Sequence, residues 1–167
     1  MQVAFYKGRA RLFNRVTAWW LRGPYSHCEL VLGTDANGLA ICASASFMDG
    51  GVRVKHMPLD PGHWDLIEVA GNVDDAWLWL QLHHGQPYDL LGLAGFIARR
   101  LGHDKARWLC SEAVAAMLGM PDAWRFDPCS LWAALTRRPP GAVTTNNTQP
   151  ASAGFLLPAA GAGSPDA

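Results

Sequence analysis

Two apolar runs, His27-Cys28-Glu29-Leu30-Val31-Leu32 and Leu39-Ala40-Ile41-Cys42-Ala43-Ser44, are separated by Gly33-Thr34-Asp35-Ala36-Asn37-Gly38. That intervening stretch is built from residues that tolerate positive φ or bond their own backbone, so the two runs read as strands folded back on each other in a hairpin. A hairpin alone is marginal in water and needs further strands with a covered face. The chain provides candidates. Val52-Arg53-Val54-Lys55-His56 alternates apolar and polar, residues 64–69 (Trp64-Asp65-Leu66-Ile67-Glu68-Val69) alternate more loosely, and residues 3–6 form a short apolar run near the start. A small antiparallel sheet is the expectation.

Helical spacing accounts for most of the remainder. Leu12, Val16, Trp19 and Trp20 recur at helical intervals within 9–21, before Gly23-Pro24. Asn72 is placed to cap a helix over 73–84, which Gly85 and Pro87 end. A second apolar helix is expected over 89–101, weakened by Gly92 and Gly95, and a third over 110–118, stopped by Gly119 and Pro121. The last begins near Pro128 or Ser130 and ends at Arg137-Arg138. A helix, then hairpins, then several helices place the fold in the α+β class. With 167 residues, one domain over 1–138 is expected. From 139 to 167 the sequence turns to Pro, Ala, Gly, Thr, Asn and Ser, too poor in apolar residues to offset ordering entropy, and reads as a flexible tail. Phe155-Leu156-Leu157 within it is either a docking peptide or a loosely adhering triplet.

Lys and Arg number 14, as do Asp and Glu, so no broad positive field exists to attract nucleic acid. The longest apolar stretch, 90–98, is far short of the ~20 residues of a membrane span. The start lacks a secretory pattern, which points to synthesis as a cytoplasmic product. Four cysteines without a C-x-x-C pair favour free thiols. No H-E-x-x-H, phosphate-cradling or dinucleotide motif is present, so no metal or cofactor is expected. His83 and His84 diverge by about 100° on a helix, unsuited to shared ligation, and read as a solvated pair. Most of Trp19, Trp20, Trp77, Trp79, Trp108, Trp124 and Trp132 are expected to fill the core.

Chemistry concentrates in two segments. Cys110 falls in the first turn of an apolar helix, where unpaired N–H groups and the helix dipole favour a thiolate and could hold an oxyanion. Taken alone, such a cysteine is more often a small buried apolar side chain. His27 opens a strand after a Gly-Pro turn, and neutral imidazole is the usual base for a thiol. Period-2 geometry places His27 and Glu29 on one face, so Glu29 is suited to orient the ring, while Cys28 points away and is disfavoured as a partner.

Four motifs in order, Tyr25-Ser26-His27-Cys28-Glu29-Leu30-Val31-Leu32-Gly33, Ala40-Ile41-Cys42-Ala43-Ser44 with Gly50-Gly51-Val52-Arg53-Val54, Gly85-Gln86-Pro87-Tyr88-Asp89, and Trp108-Leu109-Cys110-Ser111-Glu112, resemble the circularly permuted NlpC-type papain-like cysteine hydrolases. The likeness spans about residues 3–135 and is greatest to the YiiX/YaeF-like branch, with lecithin:retinol acyltransferase a more distant relation. It implies a papain-like domain in which Cys110 is the nucleophile and His27 the general base, working through an acyl-thioester. The family's third polar residue falls on Cys42, a poor acceptor for an imidazole N–H. The role then passes to Glu29 or Ser44, with Glu29 favoured. Tyr88 matches a position near the cleft, where it donates a hydrogen bond or sits ring-inward, and Ser111 is a candidate for oxyanion support. The implied function is cleavage of an amide, of peptidoglycan-type peptide, by a cell-wall enzyme of phage or prophage type released by lysis. Rivals are a lipid acyl hydrolase or acyltransferase, with 90–97 lining an acyl groove, and a catalytically inactive phage or prophage binding module.

Overall fold

The computed structural model describes residues 1–8, 12–89 and 107–137. Its frame is a five-stranded antiparallel sheet, formed by β1 (Gln2–Tyr6), β2 (His27–Thr34), β3 (Ala40–Ser46), β4 (Gly51–Met57) and β5 (Trp64–Glu68) in the order β4-β3-β2-β1-β5. β1 lies between β2 and β5, and its Val3, Ala4 and Phe5 are fully buried, which explains an apolar run without alternation. The β2–β3 turn closes as its composition requires. Asp35 accepts the N–H groups of Asn37 and Leu39 on its carboxylate, and Gly38 takes φ +79°.

Helices cover one face of the sheet. These are α2 (Val73–His83), α3 (Cys110–Met117) and α4 (Pro128–Thr136). Val3, Phe5, Cys28, Leu30, Ala43 and Val52 of the sheet share one core with Leu80, Ala113, Val114 and Leu131 of the helices. α3 packs across β2 and β3, and its small side chains permit that close approach: Ala113, Val114 and Ala115 are wholly buried. Its first turn is fixed by Ser111 Oγ donating to the Phe126 carbonyl at 2.6 Å. Asn72 caps α2, and Asp127 with Ser130 forms a capping box on α4. The opposite sheet face carries a smaller cluster of Ala4, Val31, Cys42 and Trp64.

The α+β class follows, with each strand and described helix close to its expected place. The short 3-10 helix Ala123–Arg125 was not anticipated. The expected helix over 89–101 lies, past Asp89, outside the described residues, as does the tail from 139, and the boundary of the 1–138 domain falls there too. A further helix, α1 (Leu12–Trp20), departs from expectation in its orientation rather than its bounds. Core filling by the tryptophans is corrected for four of seven: Trp19, Trp20, Trp77 and Trp124 are exposed, while Trp79, Trp108 and Trp132 pack against the core. The expected solvated histidine pair is corrected as well. His83 stacks on Trp79 at 4.1 Å and bonds its carbonyl through Nδ1, and only His84 is exposed.

Gly51 joins the sheet to the segment that leads to α3. Val52 donates to the Gln86 carbonyl, Gly85 donates back to Val52, and Tyr88 bridges to Trp108 two residues before Cys110. At Gly51, φ is +157° and a Cβ would collide with the Gln86 carbonyl oxygen. Gly51→Ala is therefore expected to cost about 2 kcal/mol or more in urea unfolding, whereas Gly33→Ala, with open space around it, stays within about 0.5 kcal/mol.

Candidate active site

Glu29 is the most deeply buried charged group among the described residues, 1% exposed in the middle of the sheet. Two cations hold it there. Arg53, reaching from β4 across β3, forks onto both carboxylate oxygens at 2.5 and 2.6 Å, and His27 Nε2 meets Oε1 at 2.8 Å. Burial opposes ionisation, but the hydrogen bonds from Arg53 and His27 outweigh it and keep the carboxyl below its ordinary value. Arg53 is tied in turn to Asp49 through Nε at 2.9 Å. With Nε2 committed to Glu29, the His27 ring is fixed in rotation and its other nitrogen is left for a second partner.

The Cys110 sulfur is the neighbour near enough to act on the ring's ionisation. Burial alone would lower the His27 pKa, but the charge of the Cys110 sulfur, its hydrogen bond and the Glu29 carboxylate push it up to about 10. On the sulfur, a hydrogen bond from the Cys28 thiol favours the thiolate, burial opposes it, and the imidazolium's charge and hydrogen bond add to the first effect. The Cys110 thiol lies well below its ordinary value as a result. The other three cysteines move the opposite way: burial raises Cys28 and Cys129, and takes Cys42 up to about 12. All four are free. The shifts of His27 and Cys110 both run in the direction that favours a thiolate beside an imidazolium.

Cys28 does not partner His27, as expected from its side of the strand. Strand alternation does turn it away from His27 and Glu29, but it turns it toward the face on which α3 docks, so it meets Cys110 from that side. Ser44 does not orient the imidazole, since its hydroxyl donates to the Cys28 carbonyl at 2.8 Å. Cys42 is buried against Ala4, Val31 and Trp64 and bonds no ring nitrogen of His27. The Ser111 hydroxyl is likewise corrected from oxyanion support to a structural tie with Phe126. Tyr88 stands beside Cys110, and burial with the nearby sulfur charges raises its phenol, so the ring remains neutral.

A cleft of about 320 Å³ opens over this array, lined by His27, Glu29, Arg53 and Tyr88, with Phe47 and Met48 exposed at its rim. Cys110 is 4% exposed and does not line the cleft, whereas His27 lines it and is the more exposed of the two. Among the described residues, no three His, Cys, Asp or Glu side chains are grouped to hold a metal ion. Arg53 is the member of this candidate site to which motif reading gave no role. Its one signal was an arginine on the polar side of an alternating strand. No family model, curated protein or solved structure matches the chain significantly.

Two outcomes are expected from this geometry. At pH 6 an ordinary thiol of pKa ~8.5 is only about 0.3% ionised, so iodoacetamide should label Cys110 at least about tenfold faster than Cys28, Cys42 or Cys129. The His27 charge that supports the thiolate persists until pH approaches its value of about 10, so His27→Ala should move the labelling midpoint upward, as followed by mass spectrometry. Arg53→Met leaves Glu29 buried without its main cation and should cost about 3–5 kcal/mol in chemical denaturation.

Proposed function

We propose that this chain is a thiol hydrolase that cleaves an amide by acyl-enzyme chemistry, with Cys110 as nucleophile, His27 as acid and base, and Glu29 orienting the ring. One observation carries the reading. Of four cysteines, the single one favoured as thiolate is the one that interacts with His27, among the described residues the imidazole fixed by a buried carboxylate. Structural ion pairs also shift pKa values, but here the shifted imidazole lines a cleft.

In the first step the Cys110 sulfur attacks the carbonyl carbon and the carbonyl oxygen takes the negative charge. Collapse breaks the C–N bond as imidazolium His27 gives its proton to the leaving amine. In the second step His27, now neutral, takes a proton from water as the hydroxide oxygen attacks the thioester. The acid is released, and the proton returns the imidazole to its starting state. Glu29 balances the ring's charge throughout and Arg53 keeps the carboxylate from rotating. Histidine before cysteine, with the cysteine helix packed on the histidine strand, is the arrangement of a permuted papain-like domain, and a peptidoglycan-type peptide is the substrate proposed by that resemblance. Release by lysis would bring it to the wall.

A second reading, hydrolysis or transfer of a lipid acyl group, is favoured by the exposed Phe47 and Met48 at the cleft rim. Muropeptides and short-chain and phospholipid esters, assayed side by side, separate the two. Cys110→Ala should abolish turnover with an unchanged melting temperature, and His27→Ala should lower kcat by about 10²–10⁴-fold. Full activity in Cys110→Ala would overturn the reading, and no turnover of any acyl substrate would leave a binding module.

A further inference from the structure

Helix α1 is turned inside out. A helix on a globular protein buries its apolar stripe and shows its polar one, yet α1 buries Thr17 and Ala18, half-buries Asn14, and exposes Leu12, Val16, Trp19 and Trp20. At 3.6 residues per turn those four occupy an arc of about 100° on the outward side. The two indoles meet edge to face at 6.0 Å, and a concavity of about 680 Å³ runs along them at Arg15, Trp19, Trp20 and Arg22. Leaving two tryptophans, a leucine and a valine in water on one short helix is costly, and a contiguous patch of this kind marks an interaction surface.

Charge indicates what covers it. The chain is neutral overall, but its first 28 residues contain Lys7, Arg9, Arg11, Arg15 and Arg22 and no carboxylate side chain. Arg15 and Arg22 flank the apolar arc, are exposed, and form no ion pair among the described residues. Indoles beside an apolar stripe with guanidinium groups at its margin suit the boundary between lipid headgroups and acyl chains, where an amphipathic helix lies in the plane of an anionic surface. No described helix is long and apolar enough to cross a membrane, so attachment through α1 would be peripheral.

We propose that the outward face of α1, with Leu12, Val16, Trp19 and Trp20 inserted and Arg15 and Arg22 at the headgroups, docks the protein on an anionic lipid bilayer. Asn14, on the inner side of the same helix, lines the cleft with His27, so docking places the cleft beside the lipid surface. This attachment is independent of the thiol chemistry.

The full chain is mixed with vesicles of phosphatidylcholine alone or with added phosphatidylglycerol, and binding is read by co-sedimentation and by quenching of tryptophan with brominated lipid. Binding is expected to the mixed vesicles, to weaken several-fold as salt rises, and to fall at least tenfold in Trp19→Ala/Trp20→Ala. Arg15→Gln/Arg22→Gln should lose most of the preference for phosphatidylglycerol. Cys110→Ala should bind like the parent, which separates this test from that of catalysis. Circular dichroism establishes that each variant is folded. Equal binding by the parent and the double tryptophan variant overturns the proposal. So does failure to bind mixed vesicles, whether sedimentation then shows a dimer that Trp19→Ala dissociates or acrylamide shows both indoles already shielded by the chain itself.

Discussion

A buried carboxylate between two cations is the constraint to which the rest of the site is fitted. Glu29 sits in a sheet where an isolated charge would be prohibitive, and Arg53 makes it tolerable by forking onto both oxygens. Three strands must be in register for this, because Arg53 reaches Glu29 across β3, where Ser44 pairs with Arg53 and the small Ala43 with Leu30. Glu29 then fixes His27, His27 faces Cys110, and Cys110 owes its place to α3 lying close on β2 and β3. Sheet register and sulfur chemistry are thus joined through one carboxyl group.

The neighbours of Cys110, the Cys28 thiol and the His27 ring, are the groups that hold its thiol low. The first-turn position brings the sulfur to the sheet, but its ionised form is favoured chiefly by the Cys28 thiol and the imidazolium. A cysteine at a helix start without such neighbours, buried to this degree, would be expected to move up as Cys28 and Cys42 do.

Local order was largely legible in the residues. Alternation at Val52-Arg53-Val54-Lys55, the turn at Gly33 to Gly38, and the cap at Asn72 act through near neighbours, and the described strands and α-helices lie close to their expected bounds. What depends on distant partners was less visible. Nothing near Arg53 states that Glu29 is its partner, 24 positions earlier and two strands away. Ser44 and Ser111 were plausible site residues by type, yet each hydroxyl is taken by a main-chain carbonyl that only the folded topology brings near. Periodicity placed Leu12, Val16, Trp19 and Trp20 on one side of α1 correctly, but it carries no sign: which side faces in was settled by Thr17 and Ala18, whose compactness fits the space beneath.

The β3–β4 turn has a double allegiance that matters for anyone redesigning this protein. Asp49 within it braces Arg53, while Phe47 and Met48 beside it project toward the cleft mouth. Selectivity could be altered by exchanging those two side chains with little disturbance to the base. Shortening or transplanting the whole turn would be a different operation, because the loss of Asp49 would loosen the guanidinium and, through it, the aim of the imidazole.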